Sequence, residues 1–145
     1  MFREIGVKVR MPSESLAQDP SEACGAPIVI EFGNSSDYRG RADALAYAVL
    51  YAKSGNSIHV FIDRVVRQGD GNRAFLTALL AHVMVHEITH LLEGVDRHSF
   101  EGVMKAVWSI SDYQSMMRCP MPFAQEDVDL IRMGLARRIS EVKAD

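Results

Sequence analysis

Apolar positions recur along this chain with two different periods, and the change falls near residue 70. Before it, Ile5, Val7, Val9 and Met11 alternate with Gly6, Lys8 and Arg10, the two-residue repeat of a half-buried strand. Ile28-Val29-Ile30-Glu31-Phe32 predicts a second strand, closed by Gly33-Asn34-Ser35-Ser36, and Ile58 to Asp63 predicts another. The stretch from Pro12 to Pro27 is rich in Ser, Pro, Glu and Ala and reads as an exposed loop. Segment 42–53 carries two patterns. Its Ala and Leu content favours helix, whereas Leu45, Tyr47, Val49 and Tyr51 fall on one face of a strand, and periodicity alone leaves both open. Phe2 to Ile5 also reads as the last turn of a helix whose beginning is missing, so we expect an N-terminal truncation.

After residue 70 the period lengthens. Asn72 is placed as an N-cap, and Phe75, Leu76, Leu79, Leu80, Val83, Glu87 and Leu91 follow at helical spacing as far as Glu93, where Gly94 supplies the stop. Residues 95–122 carry Gly102, Pro120 and Pro122 and read as mostly irregular, with one turn after Ser111-Asp112. A second helix runs from about Gln125 to Val142, with Val128, Ile131, Leu135 and Ile139 as its apolar stripe; Arg137, Arg138 and Lys143 suit its own C-terminal end.

Length makes this one domain, residues 1–145, large enough to bury a core without staples. Apolar residues at 48% and charged residues at 24% exclude a disordered chain or a coiled coil. The net charge of −3 argues against a nucleic-acid surface, and the uncharged apolar runs are too short to predict a transmembrane segment. No basic region followed by an apolar run opens the chain. The protein therefore stays in the cytoplasm, or is secreted after loss of a signal that preceded this numbering. The two cysteines, Cys24 and Cys119, form a disulfide if the protein is exported and otherwise remain free thiols.

The helix after Asn72 carries the chemistry. His86-Glu87-Ile88-Thr89-His90 is an HExxH motif. Residues i and i+4 share a face, so His86 and His90 can aim at one metal ion, with zinc the expected one. Glu87 is then placed beside the ion as the general base that takes a proton from water. A catalytic zinc needs three protein ligands and one open position. Downstream lie Glu93, Gly94, Asp96 and His98. Glu93 would crowd the ion, Asp96 is chemically competent, and His98 is favoured because imidazole suits zinc better than a lone carboxylate. His82, one turn before His86, cannot reach the same ion and reads as cleft-lining or packed; His59 reads as a surface or pairing residue.

With these residues in place, the chain resembles the metzincin zinc peptidases, whose pattern is HExxHxxGxxH, and most of all their matrixin branch. The order of parts is the same, with one more residue on each side of the glycine: HExxH, three residues, Gly94, three residues, His98. At the family's strict spacing the third ligand would be Asp96, the runner-up; His98-Ser99 is similar to the matrixin His-Ser pair. Metzincins hold a methionine in a tight turn beneath the zinc, and Gly102-Val103-Met104 matches it, although Met104 also suits ordinary core filling. The run from Phe123 to Ile131 resembles the start of the matrixin C-terminal helix, whose second acidic residue buttresses that turn. Asp127 matches it and equally suits a first-turn carboxylate. Cys24-Gly25-Ala26-Pro27 is similar to the matrixin cysteine switch but lies after the first predicted strand, on the wrong side for that role.

The resemblance covers residues 72–135 and implies a metzincin-like α+β fold: a small twisted mixed sheet backing the long zinc-binding helix, with the C-terminal helix behind the methionine turn. It implies an endopeptidase holding one catalytic Zn2+ on His86, His90 and His98, with Glu87 as base. A peptide or protein substrate would lie along an edge strand near 42–52. Two other readings stand beside it: a zinc-stabilised binding or regulatory domain without efficient turnover, and a metal-free domain with a chance motif.

Overall fold

Ile and Val fill the strands because branching at Cβ suits a pleated, half-buried surface. In the computed structural model, which describes residues 1–10, 27–50 and 56–142, three strands form one sheet: β1 (Ile28–Gly33), β2 (Ala46–Val49) and β3 (Asn56–Phe61). β3 is central, parallel to β1 and antiparallel to β2, so the sheet is mixed. The ambiguous segment thus becomes a strand over Ala46–Val49, while 51–53 lie outside the described residues. The register sets Ile30 and Ala48 beside Ile58, and Ala46 beside Val60. Ile58, Val60 and Ala46 are buried in one core with Leu79 and Val83 of helix α2 (Arg73–Glu93). On the opposite face Tyr47 stacks on His59, whose ring nitrogen meets Glu31 at 2.9 Å; His59 is a cross-strand pairing residue.

Helix α2 begins and ends where its signals lie. Asn72 Oδ1 accepts the Phe75 N–H at 3.0 Å, and Gly94 takes φ 71°, a left-handed stop. Helix α4 (Gln125–Val142) packs against the end of α2 so closely that a Cβ on Gly134 would collide with the Leu92 carbonyl oxygen. Val128 and Ile131 of its stripe are buried and Leu135 is half-buried, but Ile139 is exposed. Arg137 and Arg138 do not serve α4's own terminus. Their guanidinium groups donate to the Glu93 and Leu91 carbonyls, at 2.8 and 3.0 Å, and cap the last turn of α2; Lys143 lies outside the described residues. By length and composition α2 is apolar enough to cross a membrane; half of that window is buried inside the fold.

Three elements differ from expectation. The strand from Ile5 to Met11 does not form. Phe2–Ile5 is a 3-10 turn, as its helical reading implied, closed by Gly6 at φ 82°; residues 7–10 are irregular, and Met11 is outside the described residues. Alternation needs a partner strand to become structure, and here Phe2 instead anchors the segment, buried against Phe123. The strand expected through Asp63 stops at Phe61, and helix α1 (Ile62–Gly69) follows at once, tethered by the Ser35 N–H and Oγ donating to Asp63. Helix α3 (Ile110–Met116) replaces the single turn; its Ser109/Asp112 capping box is its start signal. The loop from residue 12 to 26 and Cys24 with it fall outside the described residues, and Cys119 is exposed.

Candidate metal centre

One helical turn separates His86 from His90, and both imidazoles leave α2 on the side facing β2 and the chain after Gly94. That chain returns His98 to them. The nearest ring nitrogens of His86, His90 and His98 all lie within 4.8 Å of one another, and the ring centroids form a near-equal triangle of 4.8, 5.3 and 5.0 Å. His86 and His90 are buried and His98 is exposed at the rim.

Hydrogen bonds assign the protons. His86 Nδ1 donates to the Val103 carbonyl at 2.9 Å, and His90 Nδ1 donates to the Val95 carbonyl at 3.3 Å. A carbonyl only accepts, so both rings carry their proton on Nδ1 and leave Nε2 bare. Burial holds His86 down to about 4, with the neighbouring His90 adding to the effect and the Val103 bond opposing it. Burial likewise lowers His90 and His98. The two bare Nε2 atoms then face each other at 3.1 Å with no proton to share. Two nitrogens bound to one tetrahedral zinc stand about 3.3 Å apart, given Zn–N bonds of roughly 2.0–2.1 Å. The donor set and its spacing fit a borderline metal such as zinc.

Glu87 lies in the same cleft, a space of about 660 Å³ bordered by β2, α2 and the segment around Trp108. Burial pushes its carboxyl up to about 7; the Ala48 amide of β2 pulls it down and the nearby Asp96 adds to the rise. Glu87 is not in the three-histidine group, and neither is Asp96, which lines the cleft beside His98. Glu93 points away from the ligands. It is 1% exposed, neither oxygen has a hydrogen-bond partner among the described residues, and Arg97 Nη1 lies 3.7 Å away. His82 is packed: its Nδ1 donates to the Ala78 carbonyl and its Nε2 accepts the Met121 N–H at 3.1 Å, which ties α2 to the loop before α4.

The turn after His98 holds the site from below. Gly102 sits at φ 74°, and a Cβ there would collide with the Pro122 carbonyl oxygen, so only glycine fits. The turn presents the Val103 carbonyl to His86, while the fully buried Met104 accepts the Ser99 N–H through its own carbonyl at 2.8 Å. Asp127 does two things. Its Oδ2 accepts the Ala124 N–H in the first turn of α4, and its Oδ1 accepts the Ser99 hydroxyl, one residue past His98. It reaches the methionine turn through Ser99 rather than directly. Trp108, which sequence reasoning passed over, donates from Nε1 to the same Val103 oxygen at 3.3 Å and sets its ring edge-on to His86. Its only signal in the sequence is its place four residues after Met104.

Among the described residues, β2 borders the cleft with no strand paired on its outer side. Phe61 N–H bonds to the Leu45 carbonyl at 2.9 Å, which makes that pair hydrogen-bonded and, by antiparallel alternation, turns the backbone groups of Ala46 and Ala48 away from β3.

Compared with known proteins, the chain matches no protein-family model, no curated protein and no solved structure.

Proposed function

We propose that this protein is a zinc-dependent endopeptidase built on the metzincin plan. The observation that carries the reading is the pair of bare Nε2 atoms on His86 and His90, facing at 3.1 Å with His98 completing the triangle. Among the described residues no other group donates to these two acceptors, and a cation would satisfy both. When bound, zinc supplies a Lewis acid that eases the ionisation of water and polarises a carbonyl oxygen.

The remaining work falls to this chain's own side chains. Glu87, one residue from a ligand but outside the ligand group, takes the proton of the attacking water on a carboxylate oxygen and passes it to the departing amine. A substrate in extended form finds a backbone partner on the outer side of β2 at Ala46, while the Ala48 amide faces Glu87. The Val103 and Val95 carbonyls keep both helical histidines in the ligating tautomer throughout.

The test compares wild type and Glu87→Gln at matched zinc content on a broad peptide library at neutral pH. Glu87→Gln should keep about one zinc and lose about 10² to 10⁴ in rate, the usual worth of a general base. Equal cleavage by both proteins, or loss of zinc from the Gln variant, overturns the assignment of Glu87. A wild type that holds zinc and cleaves nothing would make this a zinc-stabilised binding domain instead.

A further inference from the structure

We propose that Arg97 is a positioning residue for metal binding, holding His98 in place by clamping its loop to helix α4. The inference rests on the metal-site reading above and adds a control point to it. His98 needs such a brace, because it lies in an irregular segment after Gly94 and is itself exposed. An unbraced side chain there would give back to chain entropy much of what a third ligand contributes.

The segment solves this by alternation. Odd residues are anchored: the Val95 carbonyl accepts from His90, Arg97 reaches α4, and the Ser99 N–H donates to Met104. Even residues, Asp96 and His98, line the cleft. Arg97 makes the largest share of the anchoring. Its Nη1 donates to Asp127 Oδ1 at 2.8 Å, and its Nη2 donates to Glu126 Oε2 at 2.7 Å and to Ser99 Oγ at 3.1 Å. Ser99 Oγ in turn donates to the same Asp127 oxygen at 2.5 Å. Arg97, Asp127 and Ser99 therefore close a ring whose two loop members flank His98.

This is not a solvated surface pair. The Asp127 side chain is fully buried and that of Arg97 is 24% exposed, so the pairing is screened little by water. The planar fork matters as much as the charge, since one guanidinium serves three oxygens on two elements. A lysine keeps the charge and loses the fork.

The experiment titrates the metal-free full chain with Co2+ alone and reads visible absorption, which is strong for four-coordinate and weak for six-coordinate cobalt. Arg97→Lys should melt like wild type in the metal-free state, yet bind Co2+ about 10- to 100-fold more weakly and with a reduced band. Glu126→Gln, at an exposed carboxylate, should show a smaller loss in the same direction and serves in place of Arg97→Ala, which strands Asp127 and endangers the fold. In a His98→Ala background, Arg97→Lys should cost no further affinity, because the ligand through which it acts is gone. Wild-type affinity and spectrum in both Arg97→Lys and Glu126→Gln, or full additivity with His98→Ala, overturns the positioning role and leaves the metal site standing. A wild type that takes up no Co2+ overturns the metal-site reading itself.

Discussion

His98 and Asp96 sit two residues apart on the cleft side of one segment, and only His98 joins the histidine group. A ligand truncated to alanine leaves water to complete the site, whereas a bystander carboxylate contributes only its field. His98→Ala should therefore weaken zinc binding at least tenfold more than Asp96→Ala, measured by competition with a chromophoric chelator. The reverse order would make Asp96 the ligand. Glu93 gives a second single-residue prediction. Burial, then the Asp127 charge, raises its carboxyl to about 7 against the opposing pull of Arg97, from an ordinary value of 4.5. Between those values the folded chain holds a proton that the unfolded chain has lost, so this group's stabilisation is full below about 4.5 and disappears as pH climbs through about 7. Glu93→Gln stays neutral throughout. In the metal-free protein it should match or trail wild type at pH 5 and exceed it at pH 8 by something on the order of 1–3 kcal/mol in urea unfolding. An equal difference at both pH values would rule out titration of Glu93 as the source.

Helix ends with local signals were more legible than strand ends and pairings that depend on distant partners. α2 lies where Asn72 and Gly94 put its ends, and α4 spans Gln125–Val142 around its stripe. The alternation through Ile5, Val7 and Val9 was equally clear but met no partner strand among the described residues. The β3–α1 junction was hidden because Ile62, Val65 and Val66 continue an apolar run that suits either structure, and the tether that settles it comes from Ser35, 28 residues away. The α3 capping box was local and readable, and was missed. The α2–α4 contact yields a prediction in which propensity and packing disagree in sign. Helix propensity favours Ala over Gly by about 1 kcal/mol. At Gly134, however, an added Cβ would strike the Leu92 backbone, and backbone cannot step aside as a side chain can. Gly134→Ala should destabilise by about 3 kcal/mol or more, seen as a lower denaturant midpoint. A gain in stability would show that the helices are not in contact there.

In the whole molecule the histidines come from two parts, His86 and His90 from the helix packed on the sheet and His98 from the loop braced by α4. Metal bound across them should stabilise the fold by about 4 kcal/mol at a thousandfold excess over Kd. EDTA should accordingly lower the melting temperature of wild type by several degrees and leave His98→Ala nearly unmoved. An EDTA-insensitive wild type would mean that no ion bridges these parts. This division also marks what could be read from the chain. His86 and His90 were legible because helical spacing alone brings them together. His98 needed the chemistry of the donor as well as its spacing. Arg97 was invisible, because its partners Glu126 and Asp127 stand about thirty residues later and only the docking of α4 brings them near.

The caps that Arg137 and Arg138 place on α2 also have a direction in time. Synthesis runs from the amino end, so all three histidines leave the ribosome before Asp127 and before the two arginines that close the last turn of α2. The growing chain thus displays its ligands first and their brace last. Until α4 arrives, Arg97 has neither Glu126 nor Asp127 to grip, and the segment that carries His98 lacks those contacts.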